Sequence, residues 1–312
     1  MLIKGLAIMM MLAHHLFAFP ERIPDIEICG VLVNLGHACK ICVNMFIFIS
    51  GYGLTVSYRD RGFSWRDFKG RVGKLYLAFW KYFVPFFVVA NVFGFYKFDA
   101  VYALTDILCI SQEFYHESWF ILTYFLCLLI FPLFLKIKSV YAFLGVTVVL
   151  TVIVRVLLSF LTIDDFLLVD VSAFGLYFSS FLLGMLAAKT KNKIALNKKA
   201  FAVSLFVAVA LLYARAVSGM NWITIVVTPF IVFLCCYLAK LKITTKALCF
   251  LGSRSMGIWL VHCYFLYYFC KPLLFGVTSS PALLYGLLLL YSLVFMFVID
   301  WSVDKISKRV GL

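Results

Sequence analysis

The sequence predicts an all-α fold, a polytopic transmembrane helix bundle of about ten spans with both termini cytoplasmic. Three observations carry this expectation. Only 13% of the 312 residues are charged and 65% are hydrophobic, against about 25% charged in ordinary soluble domains. The apolar residues gather into runs of membrane-crossing length, about 20 residues for a hydrocarbon core of about 30 Å. The basic residues are sorted among the connections between those runs instead of being spread evenly.

The runs cover residues 2–18, 38–58, 75–95, 118–135, 140–161, 171–188, 200–217, 222–239, 255–271 and 282–301. The first holds Lys4 near its start and His14 and His15 in its middle. The second ends on Ser50-Gly51-Tyr52-Gly53. The third follows a loop carrying Arg59, Arg61, Arg66, Lys69, Arg71 and Lys74. The fourth opens on Ser118-Trp119 and precedes a loop with Lys136 and Lys138. The fifth contains Arg155, and the sixth leads into Lys189, Lys191, Lys193, Lys198 and Lys199. The seventh and eighth precede Lys240, Lys242, Lys246 and Arg254. The ninth contains His262, and the tenth ends in a tail with Lys305, Lys308 and Arg309.

These basic connections all follow even-numbered runs. Those after odd-numbered runs hold only Arg22, Lys97, Arg215 and Lys271 as basic residues and carry most of the acid: Glu21, Asp25, Glu27, Asp99, Asp106, Glu113, Glu117, Asp164, Asp165 and Asp170. The positive-inside rule then sets both termini in the cytoplasm. The net charge of +14 is therefore an account of topology, and no nucleic acid is expected as a partner. Residues 1–312 read as a single integral-membrane domain, with no soluble domain, linker or low-complexity tract. No cleavable signal peptide is expected, because the first run lacks a small-residue cleavage site. The expected location is the plasma (inner) membrane, multi-pass, with membrane lipid as the surrounding partner.

Ionisable groups at membrane depth are costly and tend to mark function. At about 100° per residue, His15 returns to within roughly 20° of the face of Lys4, whereas His14 points about 80° away. A rise of about 1.5 Å per residue sets His15 roughly 16 Å from Lys4, near the hydrocarbon midplane. His262 admits two readings, a polar bundle contact or a catalytic group.

Other groups also keep two readings. Ser50, Gly51 and Gly53 suit close helix approach or a site. Arg71 and Lys74, three apart on one helix face, suit phosphate groups or an inner membrane boundary. Trp119 and Tyr124 suit an interfacial belt. His37, Cys39 and Cys42 have loosely metal-like spacing that arises often by chance, and no metal is expected. Cys29 and Cys109 both fall in outer loops, where pairing stays open.

Four stretches in order resemble the integral-membrane acyltransferase family 3, the O-acyltransferases that modify cell-surface glycans. They are Lys4-Gly5-Leu6-Ala7 leading to His15, Phe46 through Tyr52, Arg71 with Lys74, and Leu251 through His262. Lys4 and Lys74 stand where the family pattern has Arg, and Trp259 stands at a Tyr position. The resemblance implies a cytoplasmic acyl-CoA donor, acetyl-CoA by default, and a hydroxyl acceptor on a polysaccharide or lipid-linked glycan. On that basis Lys4, Arg71 and Lys74 are expected to hold donor phosphates. His15 is expected to act as general base or acyl-accepting nucleophile. Ser50 and Tyr52 are expected to donate hydrogen bonds to the thioester carbonyl. Trp119, Tyr124, His116 and Glu117 are the expected acceptor contacts. The rival reading is a transporter or flippase of a lipid-linked or anionic metabolite, its path lined by Lys40, Lys81, Arg155, His15 and His262. The chain shows no matching pair of broken helices of the transporter type.

Overall fold

The computed structural model describes residues 1–23, 26–60, 62–160, 166–190, 197–220, 222–240 and 242–310. Asp25, Arg61, Asp164, Asp165, Lys191 and Lys193 lie outside the described residues, as do the side chains of Arg155 and Asp170. Among the described residues there are helices and no strands. In chain order they are α1 (Leu2–Phe17), α2 (Gly30–Cys39), α3 (Ile41–Tyr58), α4 (Trp65–Val92), α5 (Ala100–Ile107), α6 (Trp119–Leu135) and α7 (Val140–Ser159). Then follow α8 (Phe166–Lys189), α9 (Lys198–Ser218), α10 (Ile223–Leu238), α11 (Lys242–Ser253), α12 (Ser255–Leu266), α13 (Lys271–Phe275) and α14 (Pro281–Val310).

Among the described residues, five helical stretches are long and apolar enough to cross a membrane: Gly30–Tyr58, Trp65–Val92, His116–Leu135, Lys198–Ser218 and Pro281–Arg309. Five shorter apolar helices, Leu2–Phe17, Val140–Val154, Ala173–Lys189, Ile223–Leu238 and Ser255–Leu266, fall on the remaining expected runs. Boundaries differ where polar residues continue a helix. The expected third span begins nearly three turns into its observed helix, at about 3.6 residues per turn, because α4 starts at Trp65. There the Ser64 side chain accepts from the Asp67 amide at 3.4 Å, an N-cap that turns much of the basic loop into helix. The second span likewise starts earlier, at Gly30, and breaks at Lys40 between α2 and α3.

Close backbone approach holds the bundle together. Gly51 on α3 faces the Phe181 carbonyl of α8, and Gly184 on α8 faces the Phe48 carbonyl of α3. Gly5 and Gly252 do the same for α1 and α11, against Leu248 and Met1. Small residues at crossings allow this packing where lipid gives no hydrophobic drive between helices. α1 is central and packs against α2, α3, α11, α12 and α14, with Ile8, Leu12 and Leu16 fully buried. By contrast α9 exposes Phe206, Val209 and Tyr213, an apolar face suited to lipid.

Some polar groups pair across helices. Asn44 donates to Ser180 Oγ at 2.8 Å. Lys81, one of the residues suggested for a transport path, is bound to Asp300 at 2.7 Å, and Tyr82 donates to the same carboxylate at 2.7 Å. All ten cysteines are free thiols, with Cys29 exposed and Cys109 buried.

Candidate active site

The helical register of α1 builds the site. Lys4, Met11 and His15 are spaced seven and four residues apart, which stacks them on one face. That face lines two cavities. One, of about 300 Å³, is bordered by His14, His15, Arg22, Lys40, Trp119 and Tyr177, among others. The second, of about 140 Å³, is bordered by Lys4, Ser50, Leu75, Tyr124, Ser255 and Met256. Met11, Phe120 and Trp259 border both. The rings of Phe120 and Trp259 meet edge to face, with centroids 5.1 Å apart. The two chambers are thus separated by a thin partition of three side chains.

His15 is fixed by Tyr267, the residue that follows α12. The Tyr267 hydroxyl donates to the His15 carbonyl at 2.5 Å, and its oxygen lies 3.3 Å from His15 Nδ1. A hydroxyl has one proton to give. With that proton on the carbonyl, Nδ1–H donates to the tyrosine oxygen, and Nε2 keeps its lone pair. His262 is settled by the same reasoning, since its Nδ1 lies 2.6 Å from the Trp259 carbonyl, which can only accept. The His15 and His262 rings pack edge to face at 5.0 Å. His14 turns the other way, and its Nδ1 donates to the Gly36 carbonyl of α2 at 2.9 Å.

Among the described residues, one group of three ligand-type side chains converges: His15, His262 and Cys263, with ligand atoms within 4.8 Å of one another. The two Nε2 atoms and the thiol are the donors such a group offers to a borderline cation. They already face one another, with Cys263 Sγ 3.2 Å from His262 Nε2.

The segment between α5 and α6 is shaped by Asp106, a buried carboxylate that accepts from Ser111 Oγ at 2.5 Å, the Glu113 amide at 3.1 Å and the Phe114 amide at 2.8 Å. This brings His116 and Glu117 to the His15 cavity. Tyr268 donates to Glu117 Oε2 at 2.9 Å and accepts from the His116 amide at 2.8 Å. Trp119 stacks on Tyr177 at 5.5 Å.

The expected site residues therefore divide. His15, His116, Glu117 and Trp119 line one cavity, and Lys4 and Ser50 line the other. Tyr124 sits with Lys4 and not with Trp119, because five residues along α6 carry it about 7.5 Å further in. Tyr52 is 46% exposed and lines neither cavity. Ser50 Oγ donates to the Phe46 carbonyl at 2.8 Å, while the neighbouring Gly51 serves the α3–α8 crossing. Arg71 is held by Tyr58, with Nε 3.2 Å from its hydroxyl, and acts electrostatically on Tyr124. Lys74 is exposed. Sequence reasoning missed Tyr267, Arg22 and Gln112 altogether, and read Trp259 only as part of a motif.

The acyltransferase domain model of acyltransferase family 3 matches residues 2–301. No curated protein and no solved structure matches the chain. With a family match over nearly its whole length, this chain is a member of acyltransferase family 3.

Proposed function

We propose that this protein is a multi-pass O-acetyltransferase of the plasma membrane. In this reading it crosses the bilayer ten times with both termini cytoplasmic, and it moves an acetyl group from cytoplasmic acetyl-CoA to a hydroxyl of a cell-surface polysaccharide or lipid-linked glycan. The observation that carries this reading is the stripe Lys4–Met11–His15, which joins a cation in one chamber to an imidazole with a free Nε2 in the next.

Acyl-CoA is polyanionic and does not enter hydrocarbon unaided. Lys4, together with Arg71, which acts electrostatically on Tyr124 of the same chamber, offers the positive charge to hold donor phosphates at one end. Lys74 adds to that charge from the surface. Eleven helical residues, roughly 16 Å, separate Lys4 from His15, a length the extended pantetheine arm spans. The thioester then lies at the partition, near Ser50 and Tyr124 on one side and His15 on the other. His15 Nε2 takes the proton of the acceptor hydroxyl as the sugar oxygen attacks the thioester carbonyl carbon. The carbon–sulfur bond breaks, and the coenzyme A thiolate leaves with that proton. Tyr267 holds the ring in the tautomer this requires, as the orienting partners of functional histidines do. Trp119, His116 and Glu117 contact the acceptor.

The test is acetylation of surface glycan, read by mass spectrometry, in cells making normal amounts of the His15→Ala protein. Loss is expected, and unchanged acetylation would overturn the assignment. Labelled acetyl-CoA separates the rival class, because a transporter moves its substrate unmodified.

A further inference from the structure

We infer that the acceptor is an acidic glycan, whose carboxylate is read by Lys40 and Arg22 on the sugar that is acylated or on its immediate neighbour. This rests on the acetyltransferase reading above and adds the chemical class of the acceptor.

Lys40 carries the argument. It lies at the break between α2 and α3, inside a 29-residue stretch apolar enough to cross a membrane. It is half-buried and lines the His15 cavity. Among the described residues it has no carboxylate partner. A charge at such depth is expensive unless paired, and unpaired ones face a cavity where something else offsets them. Arg215 of α9 does not offset it. That residue is a second cation within electrostatic reach of Lys40, anchored to the His37 carbonyl.

Arg22 stands at the mouth of the same cavity, also without a carboxylate partner among the described residues. Its guanidinium lies 4.4 Å from the centre of the Phe19 ring and 5.6 Å from that of Tyr267, the residue that positions His15. Arg22 also hydrogen-bonds the Tyr267 hydroxyl, and a guanidinium carries five N–H donors, so others of them can meet a planar anion. The one carboxylate lining the cavity, Glu117, is already engaged by Tyr268 at 2.9 Å. Two basic side chains against one engaged carboxylate bias the chamber towards positive charge. Its other walls, Trp119 stacked on Tyr177 together with Trp259, are aromatic surfaces of the kind that cover the apolar face of a sugar ring. A neutral sugar would use the rings and leave both cations without a carboxylate among the described residues.

Surface glycans are compared by mass spectrometry between cells making the unaltered protein and cells making equal amounts of the His15→Ala protein. Acetyl groups present only in the first are expected on carboxylate-bearing residues or their direct neighbours. Acetyl groups confined to neutral segments, or sited next to phosphate alone, overturn the inference while leaving the acetyltransferase reading intact. Identical glycans in the two cell types overturn the acetyltransferase reading itself. Arg22→Gln and Lys40→Gln are each expected to lower acetylation of acidic residues at least tenfold, with Arg22→Lys retaining half or more. If Arg22→Lys is as inactive as Arg22→Gln, charge recognition at Arg22 is wrong.

Discussion

The Tyr267 hydroxyl grips His15 at two points, donating to its carbonyl at 2.5 Å and standing 3.3 Å from Nδ1. The first contact satisfies a carbonyl in the last turn of α1, a position that lacks an intrahelical donor. The second fixes which nitrogen carries the proton. Tyr267→Phe removes both while keeping the ring. Turnover is expected to fall about tenfold to hundredfold, the size seen when an orienting partner of a functional histidine is lost. The KM for acetyl-CoA should stay within about twofold of its original value, since Tyr267 does not line the Lys4 cavity. Steady-state kinetics in vesicles checks both, and unchanged turnover would mean the tautomer is set by something else.

The two glycines flanking Tyr52 are predicted to differ sharply. A Cβ at Gly51 would collide with the Phe181 carbonyl of α8, whereas one at Gly53 meets nothing within 4 Å. A backbone carbonyl cannot swing aside as a side chain can, so Gly51→Val is expected to cost about 3 kcal/mol, the upper end of overpacking penalties. Gly53→Ala should be neutral, or stabilising by up to about 0.5 kcal/mol through helix propensity. Thermal melting of the detergent-solubilised protein measures both. Equal melting points would mean that α3 and α8 are not in close contact.

Some of the site can be read from sequence because it lies on one helix. Lys4, Met11 and His15 are related by helical periodicity alone, and so is the divergence of His14 towards Gly36. The same arithmetic sets Ser50 and Tyr52 about 200° apart, so both cannot face one chamber, and it is Tyr52 that turns outward. What periodicity cannot supply is contact between distant elements. Tyr267 lies 252 residues from His15, and nothing in a boundary tyrosine distinguishes an orienting group from an interfacial belt residue. The helices themselves follow from run length, but their ends do not. Ser64 caps α4 ahead of its apolar run, carrying the helix through polar residues that hydropathy assigns to a loop.

Lys4 and Lys74 are expected to contribute unequally to donor binding, although both stand at Arg positions of the family pattern. Lys4 borders the smaller cavity with Ser50 and Tyr124, whereas Lys74 is exposed on α4. Hydrogen bonds to charged groups are worth about 1.5–3 kcal/mol, so Lys4→Ala should raise the KM for acetyl-CoA roughly tenfold to hundredfold. Lys74→Ala should change it by less than about threefold, as expected for an exposed, solvent-screened charge. Titration of acetyl-CoA at saturating acceptor gives both values. Equal increases of tenfold or more would mean that Lys74 holds the donor as directly as Lys4.

Met11 tests whether the two chambers act as one path. It borders both, together with Phe120 and Trp259, and its unbranched side chain adapts readily to a passing group. Met11→Leu conserves volume and should leave activity within about twofold, as such swaps are well tolerated. Met11→Trp adds a rigid ring on the face that carries Lys4 and His15. It should leave acetyl-CoA binding close to normal, because Lys4 and Arg71 are untouched, while cutting transfer at least tenfold. Binding by equilibrium dialysis and transfer in vesicles must be measured on the same preparation, since a misfolded variant loses both. Loss of transfer with binding retained is the signature of a blocked passage. Normal transfer by Met11→Trp would mean that the thioester reaches His15 by another route, and that the shared wall is only packing.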